Sequence, residues 1–457
     1  MRKLSSFRCG KRDLLKLAAA VAIVAPAAIS AFPSVFPTGT TIYDPAKAHN
    51  QYVLFAGADH KTHLIDMNGN EVRTWDYPGQ PSGMLDPALI GGKRGHVVLQ
   101  TGKGGGMETG LVPGALVQAN KSLGEVDWNG NIVWSFGEKA PGGEARQHHD
   151  WARLANGNTL VLSDIRRPIP GFANPEPVSD AIYEVSQSGD IVWTWDMSEH
   201  LDELGFTPSE MTLIKASKEA DYFHVNTMRP LGPNHWYRDG DNRFAPDNII
   251  ISSRNANFIA IIDKASSEIV WRVGPSYENW ENRGPLPQDI DQIVGQHDPH
   301  MIPEGLPGAG NILIFDNQGE AGYPPAVMKM NGGSRVIEIN PVTRKIVWEY
   351  TGSSSGSPDW SFLSSFISNA RRLPNGNTFI DEGMNGRFFQ VTPAGEIVWE
   401  YVSPYSGDAP PSPRGNKVTS NWVYRAQPVP YDWVPEGTPR TEAPVIPPAL
   451  KNFHVSQ

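Results

Sequence analysis

Asn129–Trp134 reads NGNIVW, and the phrase returns as SGDIVW at Ser188–Trp193, SSEIVW at Ser266–Trp271, TRKIVW at Thr343–Trp348 and AGEIVW at Ala394–Trp399. Each copy joins turn-forming residues to a β-branched and aromatic run, which is the pattern of a tight turn entering a strand. A degenerate sixth copy, NGNEVRTW, starts at Asn68; there Arg73 takes the tryptophan position and Trp75 follows two residues later on the same face. Apolar strands precede the phrase, such as AIYEV from Ala181 and RVIEI from Arg335. Before those lie strand pairs around a Gly-containing turn, clearest in WARLANGNTLVLSD from Trp151 and ARRLPNGNTFIDEG from Ala370. Six units of four antiparallel strands predict an all-β fold, a six-bladed β-propeller with long inter-blade loops over the funnel mouth. A pair of β-sandwiches, the competing architecture, would not require one phrase six times. The phrase tryptophans are expected to pack between neighbouring blades.

Composition agrees with many short strands and tight turns: 45 Gly and 40 Pro in 457 residues, 10% aromatic and 19% charged. The formal charge of −10 excludes nucleic acid as a partner, because phosphate binding requires a basic face. Residues 1–31 read as an export signal, with Arg2, Lys3, Arg8, Lys11, Arg12 and Lys16 ahead of an apolar stretch from Leu17 to Ala28. The run GKRDLLK from Gly10 is similar to a twin-arginine signal with Lys11 in place of the first arginine, so the expected location is the periplasm. The one cysteine, Cys9, lies inside this signal, which leaves the mature protein without disulfide or thiolate chemistry and without a membrane-spanning apolar run. Residues 40–404 make up the propeller; 405–457 form a Pro-rich tail whose run SNWVYRAQPVP from Ser420 is strand-like and suited to closing the ring on the first blade.

Candidate site residues emerge from the repeat register. Ala155, Pro230, Pro303 and Pro374 occupy one position of four successive first strands, and six residues earlier stand His149, His224, His297 and Ser368. The same phasing separates His149 from His148 and His297 from His300. First strands line a propeller's channel, so the three imidazoles are expected to converge at its mouth. The antiparallel second strand NIIISSR returns to that mouth and ends at Arg254. Long loops, Leu201–Phe223 and Ser276–Gln296, precede His224 and His297 and suggest a lid or an acceptor-binding wall; Arg166 and Arg167 add further positive charge.

Three histidines and an arginine suit transfer of a sulfate monoester. Neutral imidazole supplies a nucleophile, protonated imidazole an acid for the departing phenolate, and guanidinium a permanent donor fork for the sulfuryl oxygens. No metal or nucleotide cofactor is obligatory for that chemistry. Two other readings fit the same residues: a metal-dependent enzyme with a three-histidine site, against which Arg254 counts, and a non-catalytic propeller that binds a ligand in its funnel.

At FHVNTM (Phe223–Met228), IIISSR (Ile249–Arg254), GQH (Gly295–His297) followed by ILIFDNQG (Ile312–Gly319), and LPNGNT (Leu373–Thr378), the chain resembles the bacterial arylsulfate sulfotransferase family. The resemblance covers roughly Tyr43 to Pro404. It implies a periplasmic propeller that moves a sulfuryl group from a phenolic sulfate ester to a phenol acceptor by a ping-pong route, without a nucleotide sulfate donor. On that resemblance His297 is the residue that becomes sulfohistidine, while His149, His224 and Arg254 bind the sulfuryl oxygens and assist proton transfer. The chain departs from the family in lacking cysteines for the disulfide of some members and in carrying an insertion, GPNHWYRDGDNRF (Gly232–Phe244), expected at the far end of its blade. His300, in HDPH, is the alternative nucleophile.

Overall fold

A computed structural model describes residues 36–102, 107–109, 116–118, 120–218, 220–274, 293–319, 332–408 and 419–447. The export signal, most of the loop 276–296 and parts of the tail lie outside the described residues. Six antiparallel sheets form the blades of a propeller, and in each the strands run from an innermost strand on the axis to an outermost one. The innermost strands are Ala426–Val429, Gly83–Met84, Gln147–Arg153, Val225–Pro230, His297–Met301 and Asn369–Arg372, for blades 1 to 6.

Middle strands such as Ile249–Ser253 and Phe258–Ile262 are buried at every position, which explains their continuous apolar runs. The outermost strands alternate instead: in Ile191–Asp196 and Ile346–Tyr350 the valine faces solvent, the isoleucine packs in the seam with the preceding blade and the tryptophan in the seam with the next one. The turn ahead of each phrase needs a residue in the left-handed region. Gly69, Gly130, Gly189 and Gly395 fill it at φ 78°, 94°, 83° and 90°, and Ser267 and Arg344 take the same place at φ 66° and 57°.

Six apolar clusters hold the fold, one at each blade-to-blade interface, so the core is a ring of seams. Indole N–H groups stitch five of these seams to the third turn of the following blade. Trp75 donates to the Asp127 carbonyl at 3.2 Å, Trp195 to Ser267 at 3.1 Å, Trp271 to Pro341 at 2.8 Å, Trp348 to Pro393 at 3.2 Å and Trp399 to Met67 at 2.7 Å. In blade 3 the stitching residue is Trp195, two positions after the phrase tryptophan; Trp193 instead lies beneath the Lys264 ammonium at 5.9 Å.

Both chain ends contribute to closure. Gly39–Tyr43 adds a fifth strand to the outer edge of blade 6, and Ala426–Val429 pairs with Tyr52–Ala56 as the innermost strand of blade 1. Arg425 enters the axis with that last strand. Its guanidinium lies 3.0 Å from Asp150 of blade 3 and 3.6 Å from Asp298 of blade 5, and donates to the Asn226 carbonyl and Thr227 Oγ1 of blade 4 at 2.7 and 3.0 Å. Arg229 completes the pairing of Asp150 at 3.0 Å, and Arg371 of blade 6 forks onto Asp298. Burial opposes the charge on Asp298, but Arg371 and Arg425 outweigh it and hold the carboxyl well below the usual carboxylate range.

Trp399→Phe keeps most of the packing but removes the N–H to Met67, and is expected to cost about 1–2 kcal/mol in urea unfolding. Trp399→Ala also opens a cavity and should cost about 3–5 kcal/mol; equal losses would show that the seam does not depend on packing. Arg425→Met leaves two buried carboxylates short of a partner, with an expected loss of about 3–5 kcal/mol at neutral pH. Asp298 titrates lower in the fold than in the unfolded chain, so its stabilisation is complete above about pH 4 and lost as pH falls below. The gap between wild type and Arg425→Met should therefore narrow on acidification.

Candidate active site

The innermost strands of blades 3, 4 and 5 begin with a break in pairing register, at Gln147/Trp151, Val225/Thr227 and His297/His300. At or immediately before each break one residue adopts the left-handed conformation: His149 at φ 55°, His224 at φ 51° and Asp298 at φ 55°. Such values are costly for non-glycine residues and re-aim the side chain out of the sheet's alternation. His149 and His224 thus share one backbone state, while in blade 5 the kink falls one residue after His297.

The three phased histidines do meet. The rings of His149 and His224 stand edge to face at 4.6 Å, and Tyr424 bridges to the third imidazole, 5.4 Å from His149 and 6.4 Å from His297. The Tyr424 hydroxyl is committed to the Asn226 carbonyl at 3.1 Å. His224 Nδ1 lies 2.5 Å from Asp221 Oδ2. Burial works against a charge on Asp221, but His224, His148 and Arg254 hold its carboxyl below the ordinary range.

His297 is fully buried and held at both ring nitrogens. Nδ1 faces Asn317 Oδ1 at 2.8 Å and the Gly295 carbonyl at 3.0 Å, while Nε2 receives the Ile367 N–H at 3.2 Å. Two acceptors on one side and a donor on the other assign the hydrogen to Nδ1 and the lone pair to Nε2. Asn317 is itself pinned by donating to the Ser364 and Ile367 carbonyls at 2.7 and 2.8 Å. Burial, followed by the nearby Arg254 guanidinium, lowers the His297 pKa well below 6.5, so the ring is neutral at neutral pH. Burial and then His224 do the same to His149, with smaller contributions from His148, His297 and Arg425.

Arg254 follows directly on the strand Ile249–Ser253; its backbone N–H donates to the His224 carbonyl at 3.1 Å and its Nη1 to Asn255 Oδ1 at 2.8 Å. Arg166 and Arg167 do not join this group: Arg167 pairs with Asp196 and Glu199, and Arg166 lies 3.7 Å from Asp164. His148 belongs to the site although the repeat phase set it aside, since its Nδ1 is 2.9 Å from His149 Nδ1. His300 lies toward the other mouth, in contact with Arg371 and lining a cavity of about 590 Å³ with Trp151 and Arg229. The insertion after Pro230 folds there too, as the short helix His235–Arg238 with Trp236 bonded to Gly310.

The loop Leu201–Phe223 is not irregular. It contains the helix Pro208–Ala216, opened by a capping box between Thr207 and Glu210, with Met211 and Ile214 buried in the seam between blades 3 and 4. It then delivers Asp221 to His224. Among the described residues no group of three or more His, Cys, Asp or Glu side chains is disposed to hold a metal ion. Sequence reasoning passed over Asp221, Tyr424 and Arg425, although Tyr424 and Arg425 stand inside the run read as a closing strand and Asn317 inside the quoted FDN motif.

Solved structures resemble the chain at low identity. They include a protein of unknown function from Bacteroides caccae (11% identity, 83% of this chain and 99% of that one, TM-score 0.44). Apo AztD from Citrobacter koseri is similar at 11% identity over 83% and 98% of the two chains, with a TM-score of 0.36. No curated protein matches the sequence significantly. A model of the family described as Arylsulfotransferase (ASST) matches residues 43–406. That match runs from the strand added to blade 6 through His149, His224, His297 and Arg254, and the chain therefore belongs to the arylsulfotransferase family.

Proposed function

We propose that the chain moves a sulfuryl group from a phenolic sulfate ester to a phenol in two steps, with His297 Nε2 as the carrier. The observation that carries this reading is the fixed tautomer of a neutral, buried His297: Nδ1–H held by Asn317 and Gly295, and the lone pair on Nε2. In the first step Nε2 attacks sulfur, the S–O bond to the phenol breaks, and the phenolate departs with the bonding electron pair. The ring gains positive character as the N–S bond forms, and the Nδ1–H bond to Asn317 strengthens with it. The Ile367 N–H, displaced from Nε2, becomes a donor for a sulfuryl oxygen beside Arg254. In the second step a phenol oxygen attacks sulfur and returns the electron pair to Nε2.

His224, oriented by Asp221, and His149 flank the transferring group in this scheme. Location in the periplasm is part of the same proposal, supported by the basic-then-apolar leader. No helix among the described residues is long and apolar enough to cross a membrane.

His297→Ala should lower transfer from a chromogenic aryl sulfate to phenol by at least about 10³-fold with the fold intact. In the wild type, donor supplied without acceptor should leave one SO₃ group on the peptide carrying His297. An unmodified peptide together with a fully active His297→Ala variant would sink the proposal. Arg254→Gln should reduce kcat by about 10²–10³-fold, with only partial recovery in Arg254→Lys, whose point charge lacks the donor fork; full activity in both would remove Arg254 from the scheme.

A further inference from the structure

A phenolate that leaves the sulfur as His297 attacks requires a proton, and the acceptor phenol must lose one. His149 is an unsuitable store for it, since its ring is buried among His224, His148, His297 and Arg425 and stays neutral. The Tyr424 hydroxyl is engaged by the Asn226 carbonyl, and His224 Nδ1 is occupied by Asp221. Behind His149, however, runs a chain of two more titratable groups away from the substrate side. His148 Nδ1 lies 2.9 Å from His149 Nδ1, and His148 Nε2 lies 3.4 Å from Asp180 Oδ1. The Asp180 carboxyl comes from the third strand of blade 3, Val178–Val185, and His148 from the innermost strand, Gln147–Arg153.

All three side chains are buried, Asp180 to 2% exposure. Backbone groups of Ser163 and Val225 face this pair. Even so, His148 Nε2 and both Asp180 oxygens make no hydrogen bond of normal geometry. A buried carboxylate left so weakly partnered is expensive; a carboxylic acid donating to the adjacent imidazole is not. Burial, then the facing carboxylates Asp221, Asp164 and Asp196, raise the Asp180 pKa well above its ordinary value. Arg146 and Arg166 stand on the far side, against Asp164.

We infer that Asp180 and His148 form a proton relay to His149, which protonates the phenolate leaving in the first step and deprotonates the acceptor phenol in the second. The inference rests on the proposed transfer through His297. In the resting state Asp180 O–H points to His148 Nε2, His148 Nδ1–H to His149 Nδ1, and His149 Nε2–H to the substrate oxygen. As the S–O bond breaks, the phenolate oxygen takes the proton from His149 Nε2. His149 Nδ1 takes one from His148 Nδ1, and His148 Nε2 takes the proton of Asp180. Both imidazoles remain neutral and only their tautomers exchange, while Asp180 becomes a carboxylate facing Asp164, Asp196 and Asp221. That repulsion favours the reverse passage, in which the acceptor phenol loses its proton to His149 Nε2 and Asp180 is restored. Each group acts once per half-reaction, and the cycle needs no outside acid or base.

The test compares wild type with Asp180→Asn and His148→Gln in single-turnover sulfation of His297, followed by mass spectrometry, over aryl sulfates whose leaving phenols range from acidic nitrophenols to weakly acidic ones. Esters of weakly acidic phenols should react about 10²–10⁴-fold more slowly in both variants, while nitrophenyl esters, whose leaving group needs no proton, change little. The fall in the wild-type rate with weakly acidic leaving groups as pH rises through the Asp180 titration should be absent in Asp180→Asn. An equal loss for every leaving group would mark a purely structural pair and overturn the relay, as would no loss at all. If the wild type itself gains no sulfuryl group on His297, the failure belongs to the transfer mechanism and not to the relay.

Discussion

The guanidinium of Arg425 couples ring closure to the geometry of the site. Neighbouring blades pack through apolar seams, and at the axis Arg425 adds a polar tie between them. It pairs with Asp150 and Asp298 and donates to Asn226 and Thr227, touching blades 3, 4 and 5 from the entry to a strand that belongs to blade 1. Those are the blades that carry His149, His224 and His297. Tyr424, the preceding residue, lies against two of the three imidazoles. The last strand to join the ring therefore also sets the floor of the funnel. A fully buried ion network is weak evidence for net stability, since desolvation consumes much of its attraction, but it specifies one arrangement.

Electrostatics within the funnel follow from the same placement. Burial keeps the rings of His149 and His297 unprotonated, and fixed positive charge adds to it, from Arg254 and Arg425 at His297 and from Arg425 at His149. A nucleophile benefits from this, because a neutral imidazole carries the lone pair that a protonated one lacks. An acid suffers from it. The carboxyl of Asp180 is biased the opposite way, toward its protonated form, by burial and by the carboxylates of Asp221, Asp164 and Asp196. In the proposed mechanism these two environments separate the role of electron-pair donor from that of proton donor, a common solution where one pocket must do both.

Much of the fold was legible because the repeated phrase encodes a local necessity: a left-handed turn residue, then a strand that carries a tryptophan into the seam with the next blade. That necessity recurs six times and survives even where serine or arginine replaces glycine. The site was legible only where it shares the repeat phase, as with His149, His224 and His297. Asp221 comes from a helical insertion, Tyr424 and Arg425 from a strand that returns across the whole ring, and Asp180 from the third strand of a blade. Asp221 and Asp180 have no counterpart at the same position in other blades, so no periodicity marks them, whereas Tyr424 stands six residues before Pro430, in the histidine phase, inside a run read only as a closing strand. His148 stands one position off the repeat phase, and in a regular strand side-chain alternation would turn it away from His149. The left-handed kink at His149 breaks that alternation and keeps both rings together.

The kinks themselves bear on how firmly the site is held. Left-handed non-glycine residues cost of order 1–3 kcal/mol each and persist only where their surroundings over-determine them. Here the surroundings are identifiable: the Asp298 N–H is received by Thr227 Oγ1 at 2.9 Å, the Met228 N–H by Asp150 Oδ2 at 3.0 Å, and the Arg254 N–H by the His224 carbonyl at 3.1 Å. Two of these bonds run between blades and the third spans adjacent strands of blade 4. The strain at one strand entry is therefore opposed by backbone donors and acceptors fixed elsewhere, and releasing it would require several blades to shift together. In the proposed reaction, groups held in that way pay their reorganisation cost during folding, which leaves the imidazoles and Arg254 already oriented when an aryl sulfate enters.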